Sequence, residues 1–128
     1  MDVIARIIER ARSAPRRIVL SEGEDPRVLQ AGARAAREGV ARVVVVGPDA
    51  AIRAVAAREG IDPAAIEIVD PKASPLAPAF AEALLELRRA KGMTPAQASE
   101  AVSDPLCFAD LMVRLGHADG SVSGAVRT

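Results

Sequence analysis

The hydrophobic pattern alternates short, unbroken apolar runs with stretches in which apolar residues recur at helical spacing. The first two runs are Ile18 to Leu20 and Val43 to Val46. Uninterrupted β-branched runs are typical of strands that are covered on both faces, as in a parallel sheet. The apolar positions between the two runs follow a helical period: Val28, Leu29, Gly32, Ala33 and Ala36. The pattern predicts a strand, a helix and a second strand between Arg17 and Gly47.

Boundary residues agree with this interpretation. Asp25 and Pro26 open the helix, because a carboxylate accepts unpaired amide hydrogens and proline has none to leave unpaired. Gly39 is expected to end the helix in a left-handed conformation. The pairs Thr94-Pro95 and Asp104-Pro105 repeat the opening signal and predict two later helices.

The rest of the chain continues the alternation. The predicted elements are a helix over 2–13, a helix that ends at Gly60, a strand over Ile66 to Val69, a helix from Leu76, and a strand over Ala118 to Val122. Right-handed crossovers would arrange them as a three-layer α/β fold with a mainly parallel sheet. Open sheets of this kind bind ligands beyond the carboxyl ends of their strands. We therefore expect the functional residues in the loops that follow strands.

Composition limits the class of protein. At 128 residues the chain is long enough for one domain. Its 17 basic and 17 acidic residues balance, which argues against a nucleic-acid partner. The single cysteine, Cys107, excludes an internal disulfide and fits a reducing compartment. Charged residues interrupt the first helix, which excludes a signal peptide. No apolar run reaches the roughly 20 residues that span a bilayer. The prediction is a cytoplasmic protein without a membrane segment.

Three carboxylates follow the first strand. Glu22, Glu24 and Asp25 could hold a divalent cation. A structural role is favoured, because Asp25 caps a helix, Arg27 can neutralise a neighbour, and acids at a helix N-terminus are stabilised by the helix dipole. We therefore predict no metal site.

Two further features have phosphate-binding chemistry. Arg88 falls at the edge of an apolar helical stripe, where its aliphatic stem can pack while the guanidinium binds phosphate through two hydrogen bonds. An ordinary salt bridge at the rim of the stripe is an equally supported alternative. The segment after the fourth strand combines hydroxyls, a glycine and a cation, although a plain turn is as compatible with it. The candidate residues of that segment are Ser123, Gly124, Arg127 and Thr128. Cys107 is expected to be a small core side chain and not a nucleophile.

An ordered set of segments resembles a known family. The segments are Arg17 to Arg27, Val45 to Gly47, Ile68 to Pro71, Glu86 to Arg89 with Lys91-Gly92, Asp104-Pro105 with Phe108, and Leu115 to Ala125. Together they resemble the N-terminal part of the phosphate acetyl/butyryl transferase family. The resemblance covers nearly the whole chain, in the right order and with the right gaps.

The resemblance implies both a fold and an activity. The fold is that of isocitrate and isopropylmalate dehydrogenases, with two α/β lobes and a site in the cleft between them. The activity is transfer of an acetyl group between coenzyme A and inorganic phosphate, with acetyl phosphate as the product, as in acetate metabolism. It needs no cofactor beyond coenzyme A as substrate. Arg88 matches the family's helix arginine, and Ser123 and Gly124 match the loop that lines the phosphoacetyl site.

Length is the main departure from the family pattern. Family members are more than twice as long, and their second half supplies further substrate-binding residues and most of a dimer interface. Residues 1–128 are thus expected to form only the first lobe, inactive alone and part of a homodimer in a longer form. No catalytic residue is assigned.

Two other classes remain open. One is a non-catalytic lobe, like those appended to some malic enzymes, that binds an acetyl-CoA-type effector; Met1 directly before the first helix speaks against an upstream malic domain. The other is a phospho-receiver domain, with magnesium at Glu22, Glu24 and Asp25 and with Asp70 as phosphate acceptor. That class needs a lysine after a late strand and a fifth strand, and neither is present.

Overall fold

Four strands and six α-helices are found in residues 2–126, which the computed structural model describes. In chain order the elements are α1 (Val3–Ser13), β1 (Arg16–Leu20), α2 (Pro26–Arg37), β2 (Ala41–Val46), α3 (Asp49–Glu59), β3 (Glu67–Val69), α4 (Ala77–Arg88), α5 (Pro95–Val102), α6 (Pro105–Arg114) and β4 (Gly120–Val122). Short 3₁₀ turns precede β3 and follow α4. The predicted α/β class and the order of elements are confirmed.

The strands form one parallel sheet in the order β3-β2-β1-β4. In β1, Val19 lies opposite Val44 of β2 on one side and Ser121 of β4 on the other. β1 begins at Arg16, earlier than its apolar run, because Arg16 and Arg17 still pair with β2. β1 and β2 are therefore the two inner strands of the sheet.

Each face of the sheet has its own helices. Side chains alternate along a strand, so Val43 and Val45 point to one face while Val44 and Val46 point to the other. The first pair packs against α2 and α3, through Leu29 and Ile52 among others. The second pair belongs to a cluster with residues of α4, α5 and α6. All four valines are buried, as their unbroken run predicted.

This topology excludes the receiver-domain interpretation. Receiver domains belong to the flavodoxin-like class with strand order 2-1-3-4-5, in which β3 is an inner strand. Here β3 pairs only with β2 and lies at the edge of the sheet. Asp70 follows this edge strand and its carboxylate accepts hydrogen bonds from the backbone N–H groups of Asp49 and Lys72, at 3.1 and 3.0 Å. Asp70 therefore ties a loop to the start of α3.

The helix caps follow the predicted signals with one exception. The Asp25 carboxylate accepts the backbone N–H of Arg27 at 2.9 Å, and Gly39 has a φ of 72°. Thr94 forms a complete capping box with Gln97. Asp104 precedes α6 in the same way but makes no capping hydrogen bond, so proline alone marks that helix start.

Contacts at the amino end of the sheet attach β4 to β1. The backbone N–H of Asp119 donates to the carbonyl of Arg17 at 2.8 Å, and the Asp119 carboxylate accepts the N–H of Arg17 at 2.8 Å. The Arg17 guanidinium reaches Glu67 of β3 at 2.7 Å. β4 begins at Gly120, two residues later than predicted, because Asp119 is occupied by this reciprocal contact.

Helix α1 is the most exposed helix of this part of the chain. It buries no residue, and Val3, Ile4 and Ile7 are each more than half exposed. One hydrogen bond, from Nε of Arg12 to the carbonyl of Glu38 at 2.7 Å, joins it to the end of α2.

Close packing of α2 on the sheet depends on Gly32. A Cβ at this position would lie 2.9 Å from Cδ1 of Leu20 and 3.2 Å from Cγ1 of Val43. We expect Gly32→Val to lower the free energy of unfolding by about 1–3 kcal/mol, the usual cost of overpacking. Urea unfolding followed by circular dichroism measures it. The matched control is Gln30→Val on the exposed face of α2; equal losses in both variants would contradict the packing argument.

Asp25 should make stability depend on pH in the acid range. The side-chain hydrogen bond from Arg27 is the main cause that lowers the pKa of Asp25 from 3.8 to about 2. Ionised Asp25 therefore stabilises the fold above pH 3.8, and this contribution is lost as the pH falls toward 2. Asp25→Asn keeps a capping oxygen but removes the charge. Urea midpoints should be lower for the variant above about pH 4 and should converge near pH 2; a constant difference would contradict this.

Candidate functional site

The sheet reverses its direction of growth between β1 and β4. From β1 the chain passes through α2 to β2 on one side, and it later returns through α4, α5 and α6 to β4 on the other side. Such a reversal leaves a crevice at the carboxyl ends of the two strands, where open α/β sheets bind ligands. The loop over residues 21–25 and the loop over residues 123–126 border this crevice. Both contain residues that the sequence marked as candidates.

Glu22 joins the two loops through its carboxylate. Oε1 accepts the backbone N–H of Gly124 at 2.7 Å and that of Ala125 at 2.8 Å. Oε2 accepts the backbone N–H of Val126 at 2.8 Å. Gly124 has a φ of 106°, a conformation open to glycine and strained for other residues. Three consecutive amides can therefore converge on one carboxylate.

A second contact between the loops comes from Arg27. Its guanidinium pairs with the Asp25 carboxylate at 2.7 Å and also donates to the carbonyl of Ala125 at 3.3 Å. Asp25 remains ionised well below neutral pH, because the hydrogen bonds that it accepts from Arg27 lower its pKa. The loop after β4 therefore donates backbone N–H groups to Glu22 and accepts a hydrogen bond from Arg27 at the Ala125 carbonyl.

A cavity of about 260 Å³ lies between these loops and α2. Its walls are mostly apolar, and Glu22, Arg27 and Ser123 supply the polar groups. The other lining residues are Leu20, Val28, Ala31, Val122 and Ala125. The Ser21 hydroxyl, at the end of β1, is buried with the residue only 5% exposed, and it has no hydrogen-bond partner within the described part of the chain.

A larger cavity, of about 420 Å³, lies along the edge strand β3. Its charged groups are already paired: Arg17 with Glu67, and Asp70 with backbone amides. The crevice between β1 and β4 is the better candidate site, because it lies at the reversal of the sheet and the Ser123 hydroxyl lines its cavity.

Arg88 ends α4 with its side chain exposed. No ion pair or side-chain hydrogen bond engages its guanidinium among residues 2–126, whereas neighbouring Arg89 pairs with Glu86 at 3.2 Å. The rim salt bridge that the sequence left open is therefore not formed with any described residue.

The charge of Arg88 affects the pKa of Cys107, at the start of α6. Burial is the main cause that raises the pKa of the Cys107 thiol, Asp104 and Asp110 raise it further, and Arg88 opposes them. His117 and Asp119, which follow α6, form hydrogen bonds with Arg17 at the amino end of β1. Helix α6 therefore runs antiparallel to the strands. Its first turn lies toward their carboxyl ends. Arg88 therefore acts electrostatically on the first turn of α6. Cys107 stays a protonated thiol at neutral pH, consistent with its predicted role as a packing side chain.

The structure brings the predicted site residues together only in part. Ser123 and Gly124 lie in the loop that Glu22 holds, and both are exposed. No hydrogen bond joins Arg88 to either residue in the described range. Arg127 and Thr128 lie outside the described residues.

The acidic loop has a role that sequence reasoning missed. A structural role was favoured for the acidic loop, but Glu22 was not given a partner; it binds backbone amides that lie 102 to 104 positions later. The sequence did show an acid after one strand and a glycine-containing loop after another. Only the strand order shows that these two loops are neighbours. Within residues 2–126 no group of three or more His, Cys, Asp or Glu side chains is arranged to hold a metal ion. No helix in this range is long and apolar enough to cross a membrane.

Comparison with known proteins gives a consistent result. A phosphate acetyltransferase of Thermoanaerobacterium thermosaccharolyticum is 42% identical over 126 residues, which are 98% of this chain and 38% of that protein. A phosphate acetyltransferase of Escherichia coli is 43% identical over 124 residues, which are 96% of this chain and 17% of that protein. The chain therefore spans less than two fifths of the length of these relatives.

A solved structure and a family model agree with the relatives. A phosphotransacetylase from Streptococcus pyogenes superposes with a TM-score of 0.91 at 28% identity, over all of this chain and 40% of that one. The family model described as Phosphate acetyl/butaryl transferase matches residues 2–128. With a match over nearly the whole chain and the same fold in a solved relative, this chain belongs to the phosphate acetyl/butyryl transferase family.

Proposed function

We propose that this chain forms one wall of an acyltransferase site that moves an acetyl group between coenzyme A and inorganic phosphate. The observation that carries the proposal is the crevice between β1 and β4, where two joined loops border a cavity and expose Ser123. Relatives named phosphate acetyltransferase support the choice of reaction. The proposed substrates are acetyl-CoA and phosphate, or coenzyme A and acetyl phosphate in the reverse direction.

The reaction needs positioning and charge stabilisation more than covalent chemistry from the protein. In the direction that consumes acetyl phosphate, the thiolate of coenzyme A attacks the acetyl carbonyl, a carbon–sulfur bond forms, and the bond to the phosphate oxygen breaks. Phosphate leaves with the electron pair of that bond. Negative charge builds on the carbonyl oxygen and on the leaving phosphate, so cations and hydrogen-bond donors fixed nearby lower the barrier.

Arg88 is the proposed phosphate-binding cation. Its guanidinium is exposed and has no ionic partner among the described residues. A planar guanidinium can hold two phosphate oxygens at once. Ser123 is the proposed hydroxyl donor, and Gly124 allows the backbone to approach the ligand. Arg127 and Thr128 belong to the same proposed site.

One wall of a cleft does not position two substrates. Because this chain spans 17% to 38% of the relatives' length, the remaining contacts are proposed to come from a second lobe, in a protein that forms a homodimer in the cytoplasm. Residues 1–128 are then the N-terminal lobe.

The isolated chain should have little or no transferase activity. The physical reason is that a reaction between two substrates depends on holding both in one geometry, and loss of that geometry removes most of the rate. Formation of acetyl-CoA from acetyl phosphate and coenzyme A, followed by thioester absorbance, measures it. Turnover by the 128-residue chain at the rate of an ordinary enzyme would contradict the single-wall proposal.

Arg88 should matter in a complete site. The test is a chimera in which the matching 126-residue stretch of the Thermoanaerobacterium thermosaccharolyticum relative is replaced by this chain. Arg88→Ala should lower kcat/KM by about 10- to 100-fold, the usual effect of losing a charged hydrogen-bond partner. Arg88→Lys should fall between, because lysine keeps the charge but not the bidentate geometry.

The matched control for Arg88 is Arg89→Ala on the next residue, whose guanidinium is paired with Glu86. Equal losses for Arg88→Ala and Arg89→Ala would show a general charge effect and would contradict a specific phosphate contact. An inactive chimera that still binds acetyl-CoA would favour the alternative effector-binding lobe.

A further inference from the structure

The loop after β4 contains a small anion-binding site that the protein fills with its own carboxylate. Successive backbone N–H groups that converge on one point form a concave site with partial positive charge. The N–H groups of Gly124, Ala125 and Val126 converge in this way, and Glu22 occupies the centre at 2.7 to 2.8 Å. We call these three N–H groups the amide nest.

Few other contacts fix the loop. Residues 123–126 are all exposed, and the strand before them is only three residues long. Val122, the last residue of β4, is itself 60% exposed. Besides Glu22, the described hydrogen bond that reaches the loop is the longer one from Arg27 to Ala125, at 3.3 Å. The conformation of the loop therefore depends mainly on the contact between Glu22 and the amide nest.

We propose that Glu22 is a positioning residue, which fixes the loop and reserves the amide nest, so that substrate phosphate is bound by side chains and not by these three N–H groups. The proposal rests on the function proposed above and deepens it, because it states which groups of the loop face the phosphate. It assigns Ser123 and the cations of the site to the ligand and assigns the amides of Gly124, Ala125 and Val126 to Glu22.

Electrostatics disfavour the opposite arrangement, in which phosphate displaces Glu22. The carboxylate is tethered to the end of β1, so its effective concentration at the nest is high. A displaced Glu22 would also place a second negative charge beside the incoming phosphate, and like charges at close range repel. Phosphate should therefore leave the nest occupied by Glu22.

The first experiment measures backbone amides directly, by nuclear magnetic resonance on the ¹⁵N-labelled 128-residue chain. Glu22→Gln keeps the size of the side chain and removes its charge. We expect hydrogen exchange at Gly124, Ala125 and Val126 to become faster by about tenfold or more, since charge-assisted bonds are the stronger class. Glu24→Gln is the matched control, because Glu24 is an exposed carboxylate of the same loop without a hydrogen bond to any described residue. It should leave the three amides unchanged.

The second experiment adds inorganic phosphate. In the unaltered chain the three amide resonances should not shift. In Glu22→Ala the vacated nest should take up phosphate, and the same resonances should shift and become protected again. This pair of results would show that the nest accepts phosphate only when Glu22 has left it.

Three results would overturn the proposal. The first is unchanged protection in Glu22→Gln. The second is a saturable shift of the nest amides when phosphate is added to the unaltered chain, which would make the nest the phosphate site. The third is loss of the Val43 to Val46 resonances in the Glu22 variants, since Glu22 would then support the whole sheet. None of these readouts involves turnover, so failure of this proposal is distinguishable from failure of the proposed reaction.

Discussion

Parallel pairing of β1 on both of its edges is the constraint on which the rest of this structure depends. An inner strand satisfies its backbone hydrogen bonds only if a neighbour lies on each side. β2 follows β1 closely in the chain, whereas β4 comes about 100 residues later. The reciprocal contact between Arg17 and Asp119 sets the register of this distant pair. Once β4 is in place, the loops after β1 and β4 are neighbours, and the crevice follows.

Some charged side chains near the crevice pair with groups of the protein, and others have no described partner. The Glu22 carboxylate accepts backbone amides and the Asp25 carboxylate pairs with Arg27, so two of the three acids of this loop are compensated inside the protein. Arg88 has no ionic partner among the described residues. A site that handles phosphate needs this balance, because an uncompensated carboxylate would repel the substrate. In the proposed function, the acidic loop would therefore border a phosphate site even though its own side chains are acids.

Membership in the phosphate acetyl/butyryl transferase family gives this division a chemical meaning. The family model covers residues 2–128, and the fold is shared with solved phosphotransacetylases over the whole chain. Those chains are longer, and this one covers 40% of each. A crevice with one wall, a cavity of about 260 Å³ and an unpaired cation are properties expected of half of a two-walled site.

The sequence by itself determined the elements and their faces. The run Val43 to Val46 predicted a strand covered on both faces, because unbroken apolar runs are typical of strands with helices on each side of the sheet. Asp25 and Gly39 marked the ends of α2, because capping depends on residues next to each other in the chain. The ordered motifs also led to the family. Local chemistry was sufficient for each of these.

Only the tertiary structure decided the strand order and the use of the acids. Whether β3 lay inside the sheet or at its edge depended on packing between distant segments, and that alone excluded a receiver domain. For the acidic loop the sequence favoured a structural role over a metal site, but the partner of Glu22 was decided only when β4 placed Gly124 beside it, because a carboxylate binds whichever donors the fold brings within reach. Arg88, at the edge of the apolar stripe of α4, had a salt bridge or a ligand as alternatives, and the ion pair with Glu86 is formed by Arg89 instead. Sequence spacing fixes which residues share an element, whereas contacts between elements are fixed by how those elements pack.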